Sequence, residues 1–98
     1  MGWDEELKLD WDDEKSSFLK KTRGLYLEEV GRALLSDNQA VVFNVARYPD
    51  QLRVVAKYRR RCLTLAFEDI DDGYGEYIHL ISYWDASAVE KDIFKKGV

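Results

Sequence analysis

The sequence predicts an α+β domain with the element order β-α-α-β-β-β-β-α, in which the helices pack on one face of an antiparallel sheet. Two observations predict this class. After a short opening strand, apolar residues recur at helical spacing to about residue 35, and from residue 40 they alternate at period two. Short turns join the alternating segments, which favours antiparallel pairing as a meander and leaves no room for a crossover helix. At 98 residues, the chain forms a single domain, 1–98, around one core.

The first part of the chain predicts one strand and two helices. Leu7–Trp11 alternates apolar and polar side chains, as a half-buried strand does. Asp12 is a suitable N-cap for a helix that runs to about Thr22, and Gly24 supplies the left-handed residue that ends it. A second helix, from about residue 26 to residue 35, places its apolar residues on one face.

The second part predicts four strands and a final helix. The strands are rich in β-branched and aromatic residues and are expected at Ala40–Arg47, Leu52–Tyr58, Cys62–Phe67 and Tyr77–Tyr83. A helix over Ala88–Lys96 follows, and it begins with a capping box formed by Ser87 and Glu90. Gly97 ends that helix.

Charge is distributed unevenly along the chain. The net charge is −4, but the segment from Arg47 to Arg61 holds six cations and one carboxylate, so the remainder is strongly acidic. The sequence contains neither a signal-peptide pattern nor an apolar run of the roughly 20 residues that span a bilayer. We therefore expect a cytoplasmic protein without membrane contact. The single cysteine, Cys62, forms no internal disulfide, which suits a reducing compartment.

The basic segment predicts a contact with RNA. Arg53, Lys57 and Arg59 alternate with apolar residues, so we expect them on one face of a strand at a spacing of about 6.5 to 7 Å. Such a row could follow successive phosphates, and Arg60 and Arg61 add guanidinium groups suited to phosphate oxygens. The alternative is that these cations balance the acidic loops of the chain or bind an acidic partner protein.

His79 is the single histidine of the chain and a candidate for proton transfer. It lies in the last predicted strand, where alternation at period two places it on the same face as Tyr77 and Tyr83. The alternative is a hydrogen-bonded histidine on a half-buried face. Trp84, just beyond this strand, could stack on an unpaired base or could cover the end of the sheet.

The acidic loop before the last strand is not expected to hold a metal. Its carboxylates lack the spacing of an EF-hand loop, and the tips of hairpins are often acidic for solubility. The residues concerned are Glu68, Asp69, Asp71, Asp72 and Glu76. The chain also lacks a CxxC pair, an HExxH motif and a glycine-rich phosphate loop, so we predict no cofactor.

Residues at both ends of the chain resemble the motifs of the BrnT family of bacterial ribonuclease toxins. The matching residues are Trp11-Asp12, Lys15, Gly24, Glu28-Glu29, Ile81-Ser82, Ser87, Glu90 and Phe94. This resemblance spans nearly the whole chain and implies a RelE-like microbial ribonuclease fold. Arg23, Leu19 and Trp84 stand where the family has His, Asn and Arg.

The resemblance implies a metal-independent endoribonuclease toxin of a toxin–antitoxin module. Lys15 and Arg23 would hold the scissile phosphate, and His79 or Tyr83 would transfer a proton. The implied partners are RNA and a cognate antitoxin protein, which would bind the toxin in a hetero-oligomer. The replaced polar positions favour a second hypothesis, a non-catalytic relative that acts as a protein-binding or immunity-type module. A third hypothesis is a nucleic-acid-binding accessory protein, which would bind RNA in a salt-dependent way and leave it intact.

Overall fold

The computed structural model describes residues 1–97, and Val98, the end of the predicted domain, lies outside them. Its strands are β1 (Gly2–Asp4), β2 (Leu9–Trp11), β3 (Val41–Asn44), β4 (Leu52–Tyr58), β5 (Arg61–Asp71) and β6 (Glu76–Asp85). Its helices are α1 (Asp13–Arg23), α2 (Leu27–Leu35) and α3 (Ala88–Lys96). The α+β class is therefore confirmed. None of the helices in the described range is long and apolar enough to cross a membrane.

The strands form one mixed sheet in the order β1-β2-β6-β5-β4-β3. From β3 to β6 each strand pairs antiparallel with the next, which confirms the predicted meander. The prediction of a wholly antiparallel sheet is wrong, because β2 pairs parallel with β6. The connection between these two strands is the whole chain between Trp11 and Glu76, including α1 and α2. This long connection serves as the crossover that a parallel pair requires. The short turns between neighbouring strands give no sign of it.

β1 is an additional strand that the sequence did not predict, and it pairs antiparallel with β2. Its three residues are too few to display a pattern at period two. Other strand ends also move: the strand predicted over Leu7–Trp11 begins at Leu9, β3 stops at Asn44, and β5 continues to Asp71. The strand assignments are confirmed, whereas their bounds differ by a few residues.

Helices α1 and α2 cover one face of the sheet and form the main core with it. The buried side chains of this core include Leu9, Trp11, Leu19, Leu27, Val30, Leu34, Val54, Ala56, Leu65, Leu80 and Tyr83. Burying one such leucine contributes about 1.5 to 3 kcal/mol, so this core contributes strongly to the stability of the fold. Gly31 allows α2 to approach the sheet closely, since a Cβ at this position would lie 2.5 Å from Cδ1 of Leu80.

Helix α3 packs on the opposite face, so the prediction that all helices share one face is wrong. Its Ile93 packs with Val41 and Val55, and Val55 is fully buried. Val54 and Ala56 belong to the main core, and alternation along β4 turns the intervening Val55 to the other side. Because β4 is apolar on both faces, both faces need a cover. Helix α3 covers only part of its face, since side chains on β2 and β6 remain half-exposed there.

The predicted helix ends are confirmed. Asp12 caps α1 by accepting two backbone N–H groups, and Gly24 ends this helix in the left-handed conformation. Ser87 and Glu90 make both hydrogen bonds of a capping box at the start of α3, and Gly97 ends it. These local signals need no tertiary contact, which explains why they could be read from the sequence.

Candidate active site

His79 and Asp10 form a hydrogen-bonded pair on the part of the sheet face that α3 leaves uncovered, which we call the open face. The parallel register of β2 and β6 places these residues side by side. Oδ1 of Asp10 lies 2.6 Å from Nδ1 of the imidazole. The side chain of His79 is 36% exposed and that of Asp10 is 13% exposed. The pair can therefore be reached from solvent through the histidine.

The carboxylate of Asp10 determines which nitrogen of His79 can act on a ligand. A carboxylate at Nδ1 favours a proton on that nitrogen and orients the ring. Within residues 1–97, Nε2 makes no hydrogen bond. An imidazole held in this way can accept or donate a proton at Nε2.

Glu68 lies on the other side of His79. It is the register partner of His79 in the antiparallel pair of β5 and β6, so both side chains lie on the same face. Directly opposite residues have Cβ atoms about 4.5 to 5.5 Å apart. Glu68 is half-buried, and its carboxylate accepts no hydrogen bond from residues 1–97. The histidine is thus flanked by one carboxylate that orients it and a second that is available to a ligand.

Arg53 brings a positive charge to the same face. It pairs with Ala66 on β5, two residues before Glu68, so it lies diagonally across from that carboxylate. Its guanidinium group lies 4.9 Å from the ring centroid of Trp84 and 5.6 Å from that of Tyr48. These two cation–π contacts hold the side chain in place. Within the described residues, its Nε is buried and has no hydrogen-bond acceptor.

Trp84 supports Arg53, and one face of its ring is occupied by this contact. The indole N–H lies 3.1 and 3.3 Å from the two carboxylate oxygens of Glu90. The same carboxylate accepts the backbone N–H of Ser87, so Trp84 is tied to the start of α3. The proposed stacking of a base on Trp84 would have to use the ring surface that Arg53 leaves free.

Tyr83 lies on the opposite side of the sheet from His79, which corrects the predicted shared face. The register of β5 and β6 shifts after Ala66, where Ser82 and Leu80 are consecutive partners and Ile81 is skipped. This β-bulge inverts the alternation, so Tyr83 turns into the main core and is fully buried. Its hydroxyl donates to the Leu25 carbonyl at 2.7 Å and accepts the Leu25 N–H at 3.1 Å. Because the hydroxyl both donates to and accepts from the backbone of Leu25, Tyr83 is not placed to transfer a proton to a substrate.

Lys15 and Arg23 are also separated from His79. Lys15 is exposed on α1, which packs on the core face of the sheet. The guanidinium group of Arg23 donates to the backbone carbonyl of Tyr83, and the Arg23 carbonyl accepts from Arg61 at 2.8 Å. Tyr83 lies four residues along β6 from His79, which is about 13 Å. The structure therefore does not assemble the four predicted catalytic residues into one centre.

The predicted row of cations is interrupted. Arg53 and Lys57 share a face of β4, but Val55 between them is buried against α3. Arg59 leaves the strand and enters the two-residue turn between β4 and β5, where it has a φ of 50° and Arg60 has a φ of 65°. Arg59 lies 3.3 Å from Glu29 in an ion pair. The cations thus occupy both ends of β4 instead of one continuous line.

We call Arg59, Arg60 and Arg61 the arginine turn. Arg61 pairs with Asp85 at 3.2 Å and holds the Arg23 carbonyl, whereas Arg60 is exposed and makes no side-chain hydrogen bond or ion pair within residues 1–97. Left-handed backbone costs an L-residue roughly 1 to 2 kcal/mol. Two consecutive arginines in this conformation are therefore a strained way to present positive charge.

The prediction of an acidic loop is wrong for most of its residues, because β5 extends to Asp71 and β6 begins at Glu76. Within the part of the chain that the structure describes, no group of three or more His, Cys, Asp or Glu side chains is arranged to hold a metal.

No protein-family model matches the chain, and no curated protein matches it significantly.

Asp10 and Glu68 are the site residues that the sequence did not indicate. Each lies at a polar position of an alternating strand, which is also how an ordinary solvent-facing residue looks. Their significance depends on the pairing of β2 with β6 and of β6 with β5. Both residues are register partners of His79, so recognising them requires knowledge of how β6 pairs with β2 and with β5.

Proposed function

We propose that this protein is a metal-independent endoribonuclease that cleaves RNA on the open face. The observation that carries the proposal is the sequence of side chains across four neighbouring strands: Asp10 on β2, His79 on β6, Glu68 on β5 and Arg53 on β4. This set combines an oriented imidazole, a free carboxylate and a fixed cation. These are the groups that phosphodiester cleavage by acid–base catalysis requires.

The RNA would supply its own nucleophile. The carboxylate of Glu68 takes the proton of the 2′-hydroxyl, whose oxygen attacks the adjacent phosphorus and forms a 2′,3′-cyclic phosphate. The bond from phosphorus to the 5′-oxygen breaks, and His79, which enters this step with protons on both ring nitrogens, donates the Nε2 proton to that oxygen. Arg53 neutralises the charge that grows on the phosphate oxygens. Each proton transfer by a positioned group contributes about 10² to 10⁴ in rate.

The motifs shared with BrnT toxins support a wider form of this proposal. The enzyme would be the toxin of a bacterial toxin–antitoxin module and would act on cytoplasmic RNA. A cognate antitoxin would bind it in a hetero-oligomer and cover the open face or the arginine turn. In the toxin, the arginine turn and Lys57 would bind phosphates of the RNA backbone that lie beyond the catalytic groups.

A non-catalytic protein-binding module of the same fold is the alternative. It is favoured by the internal use of Arg23, Arg59 and Arg61, whose guanidinium groups contact a backbone carbonyl or a carboxylate of the chain itself. Such a module would bind a partner protein and leave RNA intact.

The test is incubation of the purified protein with a mixed RNA pool in EDTA. Wild type would be compared with His79→Ala, Glu68→Gln and Lys15→Ala, and Lys21→Ala would serve as the matched control, because it is exposed on helix α1 of the other face. We expect cleavage that persists in EDTA, yields 2′,3′-cyclic phosphate ends, falls at least 100-fold in His79→Ala and Glu68→Gln and is unchanged in Lys15→Ala and in the control.

Two results would contradict the proposal. Intact RNA with folded wild-type protein would favour the protein-binding module. Cleavage that is lost in Lys15→Ala but retained in His79→Ala would move the active site to α1, as the family motif implies.

A further inference from the structure

Trp3 and Tyr77 form an aromatic pair at the edge of the open face. Their ring centroids are 6.1 Å apart, with an angle of 67° between the ring planes, so the contact is edge-to-face. Trp3 is 48% exposed, although a tryptophan is among the most costly side chains to leave in water. The pair lies on β1 and β6, within the described residues, and α3 does not extend over it.

The strand register connects this pair to the proposed catalytic groups. Trp3 is opposite Asp10, which is in turn beside His79, and Tyr77 precedes His79 by two residues on the same strand. All four side chains therefore share one face. Neighbouring strands are about 4.8 Å apart, so the backbone of Trp3 lies about 10 Å from that of His79. Arg53, two strands from His79 on the other side, is about equally far.

The two ends of the open face differ in chemistry. At the Arg53 end, a guanidinium group carries a positive charge and is held by the rings of Trp84 and Tyr48. At the Trp3 end, two rings are accompanied by carboxylates, and the indole N–H of Trp3 donates to Glu5 at 2.6 Å. A cation attracts a phosphate, whereas a nucleobase presents an aromatic surface and N–H donors that suit rings and carboxylates. An RNA nucleotide has the same asymmetry, with a base at one end and a phosphate at the other.

We propose that Trp3 and Tyr77 form a nucleobase-stacking subsite, which orients single-stranded RNA so that the phosphate next to the bound base lies between His79 and Arg53. This inference rests on the proposed function and adds to it a substrate class and a direction. A base in a duplex is stacked on its neighbours and has no free surface for these rings, so the subsite selects unpaired RNA.

The experiment measures binding of two short, fluorescently labelled oligoribonucleotides that carry 2′-O-methyl groups and cannot be cleaved. One has a full set of bases, and the other is abasic throughout. The variants are Trp3→Ala, Trp3→Phe and, as a matched control, Tyr74→Ala, which removes an almost fully exposed ring from the hairpin tip. Trp3 lies on a short edge strand, and circular dichroism would establish that each variant is folded.

We expect Trp3→Ala to raise the Kd for the complete oligonucleotide about tenfold and to leave the Kd for the abasic one unchanged. Trp3→Phe should restore most of the affinity, because a phenyl ring still stacks. Equal losses for both oligonucleotides, or no loss for either, would overturn the subsite. If wild type cleaves RNA while Trp3→Ala binds normally, the subsite alone fails. If wild type neither binds nor cleaves RNA, the proposed function and the subsite fail together.

Discussion

Nδ1 of His79 lies 2.6 Å from Oδ1 of Asp10, across the parallel pair of strands β2 and β6. The two residues are 69 positions apart in the chain, and the pairing of the N-terminal region with the last strand brings them together. On the proposed function, Asp10 orients the imidazole and does not itself touch the substrate.

Replacing this carboxylate should weaken catalysis without unfolding the protein. Asp10→Asn keeps the size of the side chain but can donate to Nδ1, which permits the wrong tautomer of His79. We expect kcat to fall about tenfold or more while KM changes little. Cleavage of a short RNA at several substrate concentrations would measure both. A change confined to KM would indicate that Asp10 serves binding instead.

Tyr83→Phe should destabilise the fold by about 1 to 3 kcal/mol, because it leaves the buried N–H and carbonyl of Leu25 without their partner. Urea denaturation would measure this change in the free energy of unfolding. Any ribonuclease activity per folded molecule should remain, since the hydroxyl lies on the core side of the sheet. Loss of activity in a fully folded variant would contradict the assignment of Tyr83 to structure.

Stability should also fall in alkaline solution. Burial raises the pKa of the Tyr83 hydroxyl above its usual 10.0, and hydrogen bonding to the Glu29 carboxylate raises the pKa of Tyr58. The folded state therefore holds both protons more tightly than the unfolded state. This contribution is fully present below pH 10.0 and is lost as the pH rises through the folded pKa values. The free energy of unfolding, measured from pH 8 to pH 11, should fall above about pH 10, and less steeply in Tyr83→Phe.

Replacing the two left-handed residues of the arginine turn should raise the stability of the fold and weaken the binding of RNA. Arg59→Asn with Arg60→Gly introduces the pair that two left-handed positions favour, and we expect a gain of about 1 to 2 kcal/mol. The loss of the exposed ion pair with Glu29 offsets at most about 1 kcal/mol of this gain. RNA binding should weaken, and the slope of log Kd against log salt should decrease by about 1 to 2.

Arg59→Lys with Arg60→Lys is the matched control for this double variant. It retains both charges and the strained backbone, so stability and salt dependence should stay near those of wild type. A double variant with Asn and Gly that binds RNA with the wild-type salt dependence would exclude the turn from the RNA contact.

Gly31→Ala should destabilise the protein, although alanine is the better helix former by about 0.5 to 1 kcal/mol. The added methyl group would lie 2.5 Å from Cδ1 of Leu80, so either this buried side chain or α2 must shift. We expect a net loss of about 1 to 3 kcal/mol. Thermal unfolding would measure this loss, and an unchanged or raised Tm in Gly31→Ala would contradict the close approach of α2 to the sheet.

Much of the local structure could be predicted, because caps, periodicity and turns act over a few residues. The capping box at Ser87 and the left-handed Gly24 are examples, and both occur as expected. The short strand β1 could not be predicted, since its three residues form a strand only by pairing with β2. The same holds for the placement of α3, which follows from the need to cover both faces of β4.

The sequence by itself determined the class of the domain, the meander of β3 to β6 and the presence of one histidine that could transfer a proton. Only the tertiary structure decided that His79 lies between Asp10 and Glu68, and that Tyr83 faces the core. The first depends on a parallel pairing between distant segments, and the second on a single skipped residue, Ile81, at a β-bulge. Neither leaves a signal in the local pattern, because strand partners and bulges are selected by the packing of the whole sheet.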